Sequence, residues 1–171
     1  MPVAVDTDDT DEGNDPMTDV TPCLWFDDNL REAMEFYASV FPDVTIHSHD
    51  TTPDGQTLVA EWSIGEQRFK GLNGGPDHAG FTETISFSIT CADQAEVDRL
   101  WDSLTADGGE ESQCGWLKDK FGLSWQIVPA RLFELFSDPD PARAQAAMQA
   151  MFTMHKIVIS ELEDAAAAAA G

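Results

Sequence analysis

Basic side chains are what this chain has least of. Nine lysines and arginines stand against 32 aspartates and glutamates, a formal net charge of −23. A surface of that sign repels phosphate backbones and anionic headgroups, which excludes nucleic acid and membrane as expected partners. Only four lysines occur, Lys70, Lys118, Lys120 and Lys156. Low lysine with excess aspartate fits a high-salt cytoplasm or an alanine-rich acidic lineage equally well, so the charge speaks about solvent rather than chemistry. No apolar run approaches the roughly 18 residues that cross a bilayer, and the N-terminus lacks the basic-then-apolar order of a secretory leader. A soluble, cytoplasmic protein is expected. Cysteine is sparse too: Cys23, Cys91 and Cys114 are odd in number and widely spaced, with no CxxC pair. That disfavours a disulfide framework or a zinc knuckle and leaves reduced, partly buried thiols.

What remains is enough for one core, since 171 residues with 42% apolar content can bury a single domain. Residues 1–19 carry seven acidic side chains and no lysine or arginine, and are expected to form a disordered tail. The folded part begins near Val20. Thr21 to Phe26 reads as a strand, and Asp27-Asp28-Asn29 reads as the cap of a helix. Leu30, Ala33, Met34 and Tyr37 give that helix one apolar face. Three strands follow, over 44–51, 57–64 and 67–72. The pattern then starts again with ETISFSITC (83–91), which alternates Ile85, Phe87 and Ile89 with Thr84, Ser86 and Ser88. Asp93 caps a second helix carrying Val97, Leu100, Trp101 and Leu104, and strands are predicted over 110–114, 115–118 and 123–128. Strand, helix and three strands, used twice, is an internal duplication. Beyond Pro129 the pattern turns helical, over 131–136 and 142–154. An extended run follows over 156–159, and Ser160 with Glu163 forms a capping box before an alanine tail.

Several side chains suggest chemistry. His47 and His49, two apart on a strand, would share a face and could begin a metal site, though no third ligand adjoins them. Gly71 to Pro76 (GLNGGP) lacks the spacing of a phosphate-binding loop and reads as a turn needing positive φ. Cys114 lies near Trp116, Lys118 and Lys120, a setting for either a reactive thiol or simple packing.

Two such blocks resemble the vicinal-oxygen-chelate superfamily, and within it the PhnB-like, 3-demethylubiquinone-9 3-methyltransferase-like family. The similar stretches are TPCLWFDDNLREAMEFYASVFPD (21–43), GLNGGP (71–76), ETISFSITCADQAEVDRLWDSL (83–104), QCGWLKDKFGLSWQIVP (113–129) and DPDPARAQAAMQAM (138–151). The resemblance implies an α+β fold of paired βαβββ modules, 20–76 and 83–130, in a cupped mixed sheet, with a C-terminal helical extension over 131–171. It also implies a homodimer. Superfamily members that bind a divalent metal use two histidines and a glutamate, at positions that fall here on Pro22, Thr84 and Gln126. None is a strong ligand, so no metal is expected. No cofactor is expected either: the chain shows no βαβ run with a Gly-rich turn to hold a nucleotide-type group, and the methyltransferase label is set aside. The cup would place Thr84, Ser86, Ser88 and Gln126 inward, joined by Leu24, Phe26, Asn73, Cys114 and Trp116. The expected function is metal-independent binding of a small organic ligand. An enzyme using Gln126, Thr84 or Cys114 is the alternative, and a filled cup would mark a partner-binding scaffold.

Overall fold

In the computed structural model, which describes residues 19–169, strand and helix follow one another as the periodicities require. β1 (Cys23–Phe26) leads into α1 (Leu30–Val40), and then come β2 (Val44–Thr51), β3 (Thr57–Ile64) and β4 (Gln67–Asn73). The second block repeats the order with β5 (Phe87–Cys91), α2 (Gln94–Thr105), β6 (Glu110–Glu111), β7 (Trp116–Lys118) and β8 (Ser124–Pro129). Helices α3 (Ala130–Phe136), α4 (Pro141–Met151) and α5 (Ile159–Ala168) complete the described chain. Each block forms a four-stranded mixed sheet, β1-β4-β3-β2 and β5-β8-β7-β6, with the outer pairs β1/β4 and β5/β8 parallel. The fold is therefore the expected α+β pairing of βαβββ modules with a C-terminal helical extension. The expected acidic tail lies outside the described residues except for Asp19. Among the described residues, no helix is long and apolar enough to cross a membrane.

The apolar stripes explain the layers. In α1, Leu30, Ala33, Met34 and Tyr37 are buried. Helix and sheet approach closely at Gly71, where a Cβ would stand 2.5 Å from Leu30 Cδ1 and 2.8 Å from the Trp62 ring. In α2, Val97, Leu100, Trp101 and Leu104 are buried. The two helix-covered sheet faces share one core: ring centroids stand 5.8 Å apart for Tyr37 and Trp125, 5.4 Å for Phe41 and Trp125, and 5.0 Å for Phe69 and Phe87. Each sheet is thus left with an opposite, largely helix-free face turned away from that core; on the second sheet the end of that face, at Val128, is covered by the α3–α5 cluster.

A buried carboxylate fastens the modules together. Asp119, in the β7–β8 turn and 2% exposed, accepts hydrogen bonds from Tyr37 Oη (2.9 Å), Trp125 Nε1 (2.9 Å) and the backbone N–H groups of Phe121 (2.9 Å) and Leu123 (3.0 Å). Burial raises the pKa of Asp119, while the four donors work against that shift. Burial, reinforced by the neighbouring Asp119, pushes the Tyr37 phenol well above its usual 10.

Six local expectations are corrected, several of them by contacts distant in sequence. Asn29 makes no side-chain cap on α1; instead Asn73 Oδ1, from β4, accepts from Leu30 N at 2.9 Å. Asp93 does cap α2, accepting from Glu96 N at 2.9 Å. β5 starts at Phe87 rather than at Glu83, because the paired hydroxyls of Thr82 and Thr84 (2.7 Å) turn the chain, and this leaves Ile85 69% exposed. β6 stops at Glu111, before Cys114 and Gly115 take φ of 60° and 82°. The run over 156–159 forms no strand, and the Ser160 box does not form: α5 begins at Ile159, whose N–H is taken by Gln94 Oε1 at 2.8 Å, while Glu163 pairs with Arg131. Finally α4 ends at Met151 rather than 154, leaving Met148 and Phe152 exposed.

Candidate functional site

The pleat of the second sheet sorts its side chains cleanly. Trp125, Ile127 and Leu117 are buried toward α2 and the shared core, so alternation turns Ser88, Gln126 and Trp116 to the helix-free face. Register sets these three in a row, Ser88 opposite Gln126 and Gln126 opposite Trp116. Gln126 Nε2 donates to Ser86 Oγ at 2.8 Å. Beside half-buried Trp116 opens a cavity of about 460 Å³, whose wall includes Cys114, Lys118, Ser124 and the carboxylates of Glu83, Glu110 and Glu111. Lys118 Nζ lies 3.2 Å from Glu83 Oε2. Ser124 is 1% exposed, and its Oγ has no hydrogen-bond partner among the described residues.

The C-terminal extension fixes one rim of this cavity. Cys114 N donates to Met154 O and Gly115 N to His155 O, both at 2.8 Å, so the left-handed turn is tied to the chain that follows α4. A side chain at Gly115 would place its Cβ 2.8 Å from Ile127 O, so glycine is required there by both space and φ. Gln94 of α2 clamps the same segment, donating to Ile157 O at 3.1 Å and accepting from Ile159 N at 2.8 Å. Lys156 adds an ion pair to Asp98 at 2.9 Å.

Other expected site residues lie elsewhere. Leu24 and Phe26 are 7% and 2% exposed within the core; on β1 the helix-free side carries Cys23 and Trp25. Asn73 is spent on the fold, bonding Leu30 N, Thr57 O and Asp28 O. Thr84 is exposed and bonds Thr82. Ser86 and Ser88 line a separate hollow of about 480 Å³ along the edge of β5, with Phe41, Phe69 and Trp125. Histidines 47 and 49 do not share a face. Ile46 pairs with Trp62 and Ser48 with Glu61, so His47 is the extra residue of a bulge. It bonds Ser63 Oγ at 3.1 Å on the helix-free side, whereas His49 pairs with Ala60 on the α1 side.

The Gly-rich turn is filled from within the chain. Trp25 Nε1 donates to Gly75 O at 2.9 Å, and a Cβ at Gly74 would stand 2.1 Å from the Trp25 ring. Pro22, just before β1, has no side-chain donor to offer a metal. Lys118 and Lys120 are paired with Glu83 and Glu32 rather than held for Cys114. Among the described residues, no three His, Cys, Asp or Glu side chains are grouped closely enough to hold a metal ion. Sequence reasoning missed Ser124 and the glutamates. Ser124 was findable, standing two residues before Gln126 on the same strand face; Glu83 was not, because its place depends on the turn before β5.

The family model for 3-demethylubiquinone-9 3-methyltransferase matches residues 18–128, more than half of the chain. Among solved structures, the PhnB protein from Bacillus cereus is similar at 28% identity with a TM-score of 0.61, over 66% of this chain and 100% of that one. A protein from Pseudomonas aeruginosa aligns at 20% identity with a TM-score of 0.55, over 66% of this chain and 97% of that one, a likeness of fold alone. A glyoxalase/bleomycin resistance protein from Albidiferax ferrireducens aligns at 12% identity with a TM-score of 0.45, over 64% of this chain and 95% of that one. No curated protein matches the chain.

Proposed function

The chain belongs to the 3-demethylubiquinone-9 3-methyltransferase family, and from that premise we propose that it binds a small organic ligand, without metal, on the helix-free face of its second sheet. The cavity beside Trp116 carries the reading. Its volume of about 460 Å³ suits a small organic molecule, and an aromatic wall with a few fixed polar groups gives such a molecule both contact area and orientation. The donor chemistry argues against metal: threonine and glutamine oxygens are neutral and compensate a divalent charge weakly. The family's methyl-transfer label does not extend to this chain. α1 starts behind Asp27 and Asp28, whose charge repels a phosphate or carboxylate group, and the Gly-rich turn is packed by Trp25.

A second copy of the chain supplies the opposite wall. Both helix-covered faces are consumed in one core, so within a single chain the two open faces cannot close over each other. β1 and β5 end their sheets with no strand on their outer edges among the described residues, and unpaired edges favour strand pairing between copies. The reading is therefore of a homodimer with composite pockets. Of the residues considered for catalysis, Cys114 alone lines this cavity, which is the one observation favouring an enzyme.

The test is a small-molecule screen by tryptophan fluorescence on chelator-treated protein, with Trp116→Ala as the comparison. Ligand quenching that survives chelation and disappears in the variant is expected. Binding that requires stoichiometric zinc, nickel or manganese would contradict the proposal.

A further inference from the structure

We propose that the cavity beside Trp116 takes a protonated organic amine, an inference that rests on the binding reading above and names its ligand class. Glu83, Glu110 and Glu111 border the cavity together with one ammonium, Lys118. Glu83 already pairs with that lysine at 3.2 Å, so the remaining charge is negative. Glu110 sits opposite Lys118 in the β6–β7 ladder and shares its face. Glu111, opposite Leu117, turns its carboxylate to the α2 side, where Oε1 accepts from Trp101 Nε1 at 2.9 Å, so the carboxylate left for a ligand on the Trp116 face is that of Glu110.

Two further features fit an ammonium group rather than acidity in general. The Trp116 ring offers a π face, which attracts cations more strongly where water is excluded. The Ser124 hydroxyl, buried and without a partner, can accept an N–H from the ligand and be relieved of the cost of an unmade hydrogen bond. An anion would meet carboxylates, and among the described residues of the wall the one ammonium, Lys118, is already paired with Glu83. A neutral apolar ligand would desolvate those carboxylates and leave Ser124 unsatisfied.

A chain of net charge −23 attracts cations over its whole surface, so the test is made at about 1 M salt, where the screening length is about 3 Å. Three probes of one shape are compared by calorimetry and by amide chemical shifts: 2-phenylethylammonium, 2-phenylethanol and 3-phenylpropanoate. The ammonium should bind once per chain, about tenfold more tightly than the alcohol, moving the Trp116 and Ser124 amides. Trp116→Ala and Glu110→Gln should each weaken it about fivefold, while Glu161→Gln, on exposed α5, should leave it unchanged. Equal binding of alcohol and ammonium, or preference for the carboxylate, overturns the amine assignment and leaves the binding site standing. If none of the three probes moves the cavity amides, the amine assignment and this site fall together.

Discussion

The two modules share one strand order and use it differently. In the first, β2 and β3 run for eight residues and β4 for seven, giving a long ladder. In the second, β6 has two residues and β7 three, and the ladder hydrogen bonds that longer strands would make are supplied instead by the segment after α4. Where strands are long, the helix-free face carries exposed pairs, such as Lys70 with Glu61 at 2.9 Å, and the larger hollow, of about 500 Å³, lies along β2 beside α1. Where they are short, the β6–β7 turn bends away and leaves a cavity with a buried, unpartnered hydroxyl. Duplication thus provides a long-stranded half, bulged in β2, that carries the scaffold and a short-stranded half free to carry a site.

The contrast can be broken most forcefully at the joint between the halves. Asp119→Ala leaves a phenol, an indole and two backbone N–H groups without their acceptor in the core. It should lower stability by about 3–5 kcal/mol in urea unfolding; a loss under about 1 kcal/mol would mean that Asp119 does not join the modules. Next come two glycines, one in each half. Gly71→Ala overpacks the scaffold against Leu30 and Trp62 and should cost about 1–3 kcal/mol with ligand affinity preserved. Gly115→Ala should cost a similar amount and also abolish ligand binding, because the cavity rim must move. If both variants bind equally well, the division of labour between halves is wrong.

Gln94→Ala should cost about 1 kcal/mol while speeding hydrogen exchange at Cys114 and Gly115, the amides held by the C-terminal segment; unchanged exchange would show the rim to be self-supporting. The smallest effect at neutral pH comes from Tyr37. Its folded pKa is raised, so its stabilisation is complete below the unfolded value of 10.0 and is lost as pH rises toward the folded value. The chain has one tyrosine, so phenolate absorbance should appear together with alkaline unfolding. Ionisation near pH 10 in the folded protein would contradict the buried pair with Asp119.

What could be read in the sequence was mostly local. The stripes Leu30–Tyr37 and Val97–Leu104 sit on single helices, and Asp93 caps within its own turn, so periodicity and spacing suffice. The duplication followed from order alone. Features decided across the chain stayed hidden: the cap of α1 comes from Asn73, the start of α5 from Gln94, and the end of β6 from Met154 and His155. A bulge undid the His47 and His49 pairing, since one inserted residue reverses a face. On the second sheet, strand alternation sets Trp116 and Gln126 on the same face. The same rule sent Leu24 and Phe26 into the core once β1 was seen to present Cys23 and Trp25 on its other side.

The cavity beside Trp116 lies on an open sheet face, and in the proposed homodimer a second copy roofs it. Sedimentation equilibrium of the purified protein at micromolar concentration is the sharpest check: the expected mass is twice the 18.7 kDa of one chain, and a species that stays at the single-chain mass would rule the roof out.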